Sequence, residues 1–366
     1  MKEEEIFFRL LRTALGTGTA EGLRLTGKEW AGMAELAQKQ ALGGILMQAI
    51  EKLPPDSRPP KPLLLQWIGW TKNIESVNRQ LNNEAVAVSL YFKEKGYRSM
   101  ILKGQGVAQF YPRPLWRMPG DIDIWVDAPR RELARLARSA DPKAEMVYHH
   151  IDMSGLAAHF PVEVHTTPSW MNSPLTNARL QRMFRQWKDT GFGTETTLPD
   201  TGGSVRTPTL EMNRIYLLVH IYRHLMTEGI GLKQLMDYYC VMRLEMDATE
   251  KKAFTEQVHR LGMERFASAV MHVLGKVFGL ERQRMPVAPS EKYGERLLEE
   301  IMRAGNFGQY DPRIRHDRLD TEGGRFYERM RRIARFVKDY PDEACWSPYF
   351  KLWHFFWRLR HNNGRP

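Results

Sequence analysis

Asp121 and Asp123 stand two apart in the run Gly120-Asp121-Ile122-Asp123. In a strand, side chains two apart share a face, so both carboxylates point one way while Ile122 and Ile124 point to the core. Paired hard oxygen ligands suit Mg²⁺, which takes one or two carboxylates together with substrate phosphates and water. Gly120 lets backbone or phosphate approach closely, and Pro119 stiffens the lead into the strand. An isolated Asp-x-Asp is common on solvated strand ends, so its neighbours must decide.

Upstream, Leu102-Lys103-Gly104-Gln105-Gly106 sits where a strand passes into a helix. Amides at a helix start bind phosphate and Lys103 adds charge; the alternative is an ordinary turn with a solvated lysine. Downstream, Glu163 shares a strand face with His165. It offers a third carboxylate for the metal or a base for an acceptor hydroxyl, or it is a plain exposed strand residue.

Four further groups have open readings. Arg117 could hold a triphosphate oxygen through its planar fork or pin the proline-containing loop by bonding carbonyls. His220 and His224, four apart on a helix, fit a metal pair, but without an evident third ligand packing is the simpler expectation. Lys233 and Asp237, also four apart, read as a surface ion pair. Arg329, Arg331, Arg332 and Arg335, followed by Trp346, Tyr349, Trp353, Phe356 and Trp357, could form a nucleic-acid-binding surface. Their spacing of three and four more often marks one buried face.

The elements that position these residues follow from periodicity. Residues 1–97 read as an N-terminal helical region, with Trp30, Met33, Leu36 and Ala37 at helical spacing. It breaks at the prolines of residues 53–60, and a long helix from Leu63 to Lys95 closes at Gly96. Residues 98–207 read as a small mixed-sheet core: strands at 99–102, 122–126 and 161–165, helices at 105–110 and 130–139, then a Gly- and Thr-rich stretch from Gly191 to Thr207. Residues 208–366 resume helical periodicity as a C-terminal helical domain. The fold class is α+β, a small mixed-sheet core flanked by helical domains.

The chain has 366 residues, 42% hydrophobic and 27% charged, which is an ordinary globular balance and argues against disorder or a fibre. Met1-Lys2-Glu3-Glu4-Glu5 is no basic leader and no apolar run approaches the roughly 20 residues that cross a bilayer, so a cytoplasmic protein without membrane contact is expected. Cys240 and Cys345, the 2 cysteines, read as buried thiols in a reducing compartment. Lys plus Arg exceed Asp plus Glu by 54 − 43 = 11, which attracts anionic partners without choosing among nucleotides, phosphorylated metabolites and nucleic acid.

Leu102-Lys103-Gly104, Tyr111-Pro112-Arg113-Pro114, Arg117, Gly120-Asp121-Ile122-Asp123 and Glu163-Val164-His165 together resemble the uncharacterised bacterial nucleotidyltransferase-like family of the DNA polymerase beta superfamily. The likeness covers about Leu102 to His165 and extends through Gly229-Ile230-Gly231-Leu232-Lys233-Gln234-Leu235-Met236-Asp237, while the N-terminal helices match only loosely. It implies that Asp121, Asp123 and Glu163 are the catalytic, Mg²⁺-holding carboxylates. An acceptor hydroxyl would then attack the α-phosphate of a nucleoside triphosphate such as ATP, with pyrophosphate leaving. It also tilts Lys233 and Asp237 toward nucleotide or acceptor binding, so the expected nucleotide-binding set is Lys103, Gly104, Arg117, Gly120, Lys233 and Asp237. The sequence departs from the superfamily's usual Gly-Ser phosphate loop, offering Lys103-Gly104 and a longer proline-rich connection. The acceptor, small molecule or macromolecule, is not identified. The rival expectation is a non-catalytic nucleic-acid-binding or interaction protein that keeps this fold.

Overall fold

The computed structural model describes residues 2–140, 144–315 and 320–362. Its N-terminal helices are α1 (Glu3–Leu15), α2 (Gly27–Lys39), α3 (Gly43–Lys52) and α4 (Lys61–Glu94). Thr26 starts α2 with a capping box, its hydroxyl accepting from the Glu29 amide at 3.3 Å while the Glu29 carboxylate accepts from the Thr26 amide at 2.8 Å. In α4 the residues Trp67, Thr71, Ile74, Asn78, Leu81, Ala85, Val88 and Phe92 recur at three and four, and that stripe is buried. The helix ends as the sequence predicts: Gly96 takes φ +81°, and the amides of Gly96 and Tyr97 bond back to Lys93 and Phe92.

The central sheet follows. Its elements are β1 (Ser99–Ile101), the single-turn α5 (Gln105–Ala108), β2 (Ile122–Val126), α6 (Arg130–Ala140), β3 (His150–Asp152) and β4 (Val162–His165). The strand order is β1-β2-β4-β3, with β2 and β4 parallel and both outer pairs antiparallel, so the sheet is mixed as expected. Ile122, Ile124, Val126, Val162, Val164 and Ile151 face one side and pack with Leu81, Ala85, Val88 and Phe92 of α4 and with Leu133, Ala134 and Ala137 of α6. The alternate residues, Asp123, Glu163, His165 and His150 among them, face the other side.

After α7 (Pro174–Thr190), the Gly- and Thr-rich stretch forms a hairpin of β5 (Thr194–Thr197) and β6 (Ser204–Thr207). The C-terminal helices are α8 (Leu210–Thr227), α9 (Leu232–Met242), α10 (Ala248–Arg260), α11 (Glu264–Phe278), α12 (Glu291–Ala304), α13 (Glu322–Phe336) and α14 (Pro341–Asn362). One apolar cluster runs from α1 through α3 into α8, α9 and α11. Polar ties cross the same boundary: the Thr17 hydroxyl donates to the Phe278 carbonyl at 2.6 Å, and Gln40 accepts from the Leu232 amide at 2.8 Å while donating to the Ile301 carbonyl at 3.2 Å. This joint core buttresses α8 and α9 over the polar face of the sheet.

Two sequence expectations are corrected at the C-terminal end. Trp346, Tyr349, Trp353 and Phe356 share a helix face as their spacing requires, but that face is exposed, and Glu343, Ala344 and Ser347 are the buried residues of α14. Cys345 is exposed, and only Cys240 is a buried thiol. Of the four α13 arginines singled out in the sequence, three make ion pairs, while Arg329 and Arg331 stay exposed. Arg332 and Arg335 reach Asp311 at 3.5 and 3.3 Å, and Arg331 reaches Glu328 at 3.5 Å. Among the described residues no helix is long and apolar enough to cross a membrane.

Candidate active site

Lys103 arrives at the polar face because the β1 ladder continues one residue, the Leu102 amide bonding the Asp123 carbonyl at 2.9 Å. Gly104 then takes φ +58°, ψ −114°, a conformation that L side chains resist, and turns the chain into α5. Gly106 lets that turn close on the strand: an added Cβ would stand 2.7 Å from the Ile101 carbonyl oxygen. The Gly106, Val107 and Ala108 amides bond Lys103 and Gly104 carbonyls within the turn, and the Lys103 ammonium turns to the buried Asp123 carboxylate.

Asp123 and Glu163 are register partners on β2 and β4, which places two carboxylates distant in sequence side by side. Lys103 Nζ lies 3.2 Å from Asp123 Oδ2 and 3.7 Å from Asp121 Oδ2. His165 Nε2 lies 2.9 Å from Asp123 Oδ1 and 3.5 Å from Glu163 Oε2, and Asp123, Glu163 and His165 bring their ligating atoms within 4.8 Å of one another. The Asp123 side chain is fully buried and its Oδ2 accepts no hydrogen bond, whereas Asp121, just ahead of β2, is half-exposed at the rim.

Charge balance explains the titration of this cluster. Burial opposes the Lys103 ammonium, but Asp123 and Asp121 outweigh it and hold the lysine charged. Burial would raise the Glu163 carboxyl, yet the hydrogen bond from His165 and the charges of His150 and Lys103 hold it down to about 2. Burial would lower His165, but its bonds to Asp123 and Glu163 raise it to about 8. Two protein cations thus neutralise a carboxylate pair suited to a divalent metal.

The other nominated residues fall in two places. Gly120 and Lys233 line the loop beside Asp121, where Lys233 Nζ donates to the Pro119 carbonyl at 3.3 Å. Burial and then the Arg117 charge push the Lys233 amine down to about 7. Arg117 and Asp237 lie behind that loop as a buried bidentate pair, Nε–Oδ1 and Nη2–Oδ2 both 2.8 Å, with the Tyr111 hydroxyl donating to Asp237 at 2.6 Å. The surface pair of Lys233 with Asp237 is therefore replaced by a buried Arg117–Asp237 pair. The proline-rich loop is pinned by Asn78 of α4, whose amide donates to the carbonyls of Leu115 at 2.8 Å and Arg117 at 2.7 Å.

The sequence profile of a family described as uncharacterised nucleotidyltransferase matches residues 26–279, from the start of α2 to the end of α11. The chain belongs to this family. The match takes in every residue nominated above for metal or nucleotide and leaves α12 to α14 outside. A nucleotidyltransferase-like protein from Paracoccidioides brasiliensis, an antigenic protein of known crystal structure, is 12% identical, with 62% of this chain and 98% of that chain covered and a TM-score of 0.29. No curated protein is similar at a significant level.

Several residues that surround the carboxylate cluster escaped the sequence reading. Tyr216 of α8 is buried, its hydroxyl has no hydrogen-bond partner, and it lies within electrostatic reach of Asp123, Lys103 and Glu163. Arg223, two turns on, stacks its guanidinium 3.8 Å from the centroid of Trp170, and His149 packs on the same ring at 3.9 Å. His220 and His224 stand with ring centroids 4.3 Å apart; His224 pairs with Glu228, and among the described residues neither joins a three-ligand metal cluster. The only signal available was helical spacing: residues 216, 220 and 223 share a face of α8, on which polar residues occur on several sides.

Proposed function

We propose that the protein is a Mg²⁺-dependent nucleotidyltransferase of the polymerase beta type, moving a nucleoside monophosphate from a nucleoside triphosphate to an acceptor hydroxyl. The observation that carries this reading is the registered pair Asp123–Glu163 on adjacent parallel strands with Lys103 over it. The donor set fits the metal: two adjacent carboxylates, one with a buried oxygen accepting no hydrogen bond, and a half-exposed third at the rim. Asp121, Asp123 and Glu163 would hold Mg²⁺, which when bound supplies charge neutralisation at the attacking and leaving oxygens. Lys103 shifts from carboxylate to phosphate as the triphosphate enters, and Lys233 beside Gly120 binds the phosphate tail. Glu163, held down to about 2, is a weak base and is assigned to the metal and not to uptake of the acceptor's proton.

The test is thermal stability of wild type and Asp121→Ala against each nucleoside triphosphate, with and without Mg²⁺. Ligand at 100 times its Kd stabilises the native state by about 2.7 kcal/mol. A Mg²⁺-dependent rise in wild type that vanishes in the variant is expected; unchanged binding in the variant would refute the assignment.

A second reading, a nucleic-acid-binding protein that keeps this fold without catalysis, draws on the exposed Tyr349, Trp353 and Phe356 of α14. It requires strongly salt-dependent RNA or DNA retention in a gel-shift series. Salt-insensitive or absent binding removes it.

A further inference from the structure

We propose that His149, His150 and Glu163 form a transition-metal site suited to Zn²⁺, adjacent to the carboxylate centre and sharing Glu163 with it. His149 Nε2 lies 3.0 Å from His150 Nδ1, His150 Nδ1 lies 3.3 Å from Glu163 Oε2, and all three ligating atoms fall within 4.8 Å of one another. Neighbouring ligands of a tetrahedral ion with bonds of about 2.1 Å stand about 3.4 Å apart, so little movement is needed to close them on one ion.

Proton placement strengthens the case. His150 Nε2 lies 3.4 Å from Asp152 Oδ1. With the proton on that outer nitrogen, Nδ1 presents a lone pair to the Glu163 carboxylate and to His149. This is the carboxylate–histidine–metal relation, in which the outer N–H donates to an acid and fixes the ring. His149 is 6% exposed, and its Nε2, 3.0 Å from His150 Nδ1, is the nitrogen turned toward the other two groups, while Nδ1 has no hydrogen-bond partner that would compete for the ring's orientation. Trp170, in ring contact at 3.9 Å, holds it in place. Lone pairs converging on one point call for a cation, and two imidazoles with a carboxylate favour Zn²⁺ over Mg²⁺. Glu163 and His150 are only partly buried, which leaves the fourth position open to water.

Co²⁺ is the probe, because it occupies zinc sites and its visible absorption reports nitrogen ligation. Metal-free full-length protein is titrated with Co²⁺ in the absence of nucleotide, and Zn²⁺ is then added to displace it. A single visible band that Zn²⁺ abolishes is expected. His150→Ala should weaken binding by about 100-fold or more, and Asp152→Asn, at an exposed position that spares the fold, by about 10-fold. Asp121→Asn should leave the band intact, so failure of the magnesium reading and failure of this one are separable. Absence of a band, equal Co²⁺ affinity in wild type, H150A and D152N, or loss of the band in D121N as complete as in H150A would overturn the proposal.

Discussion

Lys103 Nζ lies 3.2 Å from Oδ2 of Asp123, an oxygen that accepts no hydrogen bond. The ammonium is therefore the counter-charge of that oxygen, as His165 at 2.9 Å is the partner of Oδ1. Lys103→Met should cost about 3–5 kcal/mol in urea unfolding without metal, because it strands that carboxylate. Millimolar Mg²⁺ should restore part of the loss and stabilise the variant more than wild type. Equal Mg²⁺ responses in the two proteins would show that the lysine and the metal do not address the same oxygens.

The Arg117–Asp237 pair is buried on both sides and made of two 2.8 Å contacts, with Tyr111 as a third partner. Asp237→Asn keeps the shape but leaves the guanidinium without its counter-charge, and about 3–5 kcal/mol of stability should be lost. Triphosphate affinity of the fraction still folded should fall far less. Calorimetric titration well below the melting transition checks this; a large fall in affinity with intact stability would make the pair a direct nucleotide contact.

The balance between what sequence exposed and what it hid has a physical basis. Alternation in Ile122-Asp123-Ile124-Trp125-Val126 assigns one side to the core, and the structure packs Ile122, Ile124 and Val126 there while Asp123 faces the site. The same two-residue period made Glu163 visible. Tyr216 and Arg223 were hidden because every residue from Met212 to Tyr222 is buried, with the polar Asn213, Arg214 and His220 among them, so polarity along α8 does not mark which face meets the carboxylates. His149 and His150 lie at a three-residue strand, too short for a period to register. On α14, spacing correctly grouped Trp346, Tyr349, Trp353 and Phe356, but periodicity tells which residues share a face and not which face is covered. Here the small Ala344 and Ser347 fit the close approach, and the aromatics are left outside.

Lys233 supplies a pH prediction with a definite sign. Its folded value of about 7 lies below the ordinary lysine value of about 10.4 in the unfolded chain, so between these the unfolded state binds more protons. Its penalty is complete below about pH 7 and fades as pH rises toward 10. His165, raised to about 8, acts oppositely, its stabilisation being lost as pH rises from about 6.5 through 8. Lys233→Met isolates the first effect, since His165 titrates in both proteins. Wild type should gain on the variant between pH 7 and pH 9 in urea unfolding; a difference that stays flat with pH would contradict the burial argument.

Tyr216 separates stability from site chemistry. Its hydroxyl is buried, bonds nothing, and faces the region of Asp123, Lys103 and Glu163. A buried hydroxyl without a partner costs desolvation and returns nothing to the fold, so Tyr216→Phe should leave stability unchanged or raise it by about 1 kcal/mol. If the hydroxyl instead meets the bound triphosphate or a metal-bound water, the same substitution should weaken Mg²⁺-dependent nucleotide binding by about tenfold, the worth of one hydrogen bond to a charged group. Measuring melting with and without Mg²⁺-triphosphate reads both quantities on one sample. A stability gain together with a smaller ligand shift marks Tyr216 as a binding residue set in place by α8. A gain with an undiminished shift leaves it as packing, and puts the nucleotide nearer Lys233.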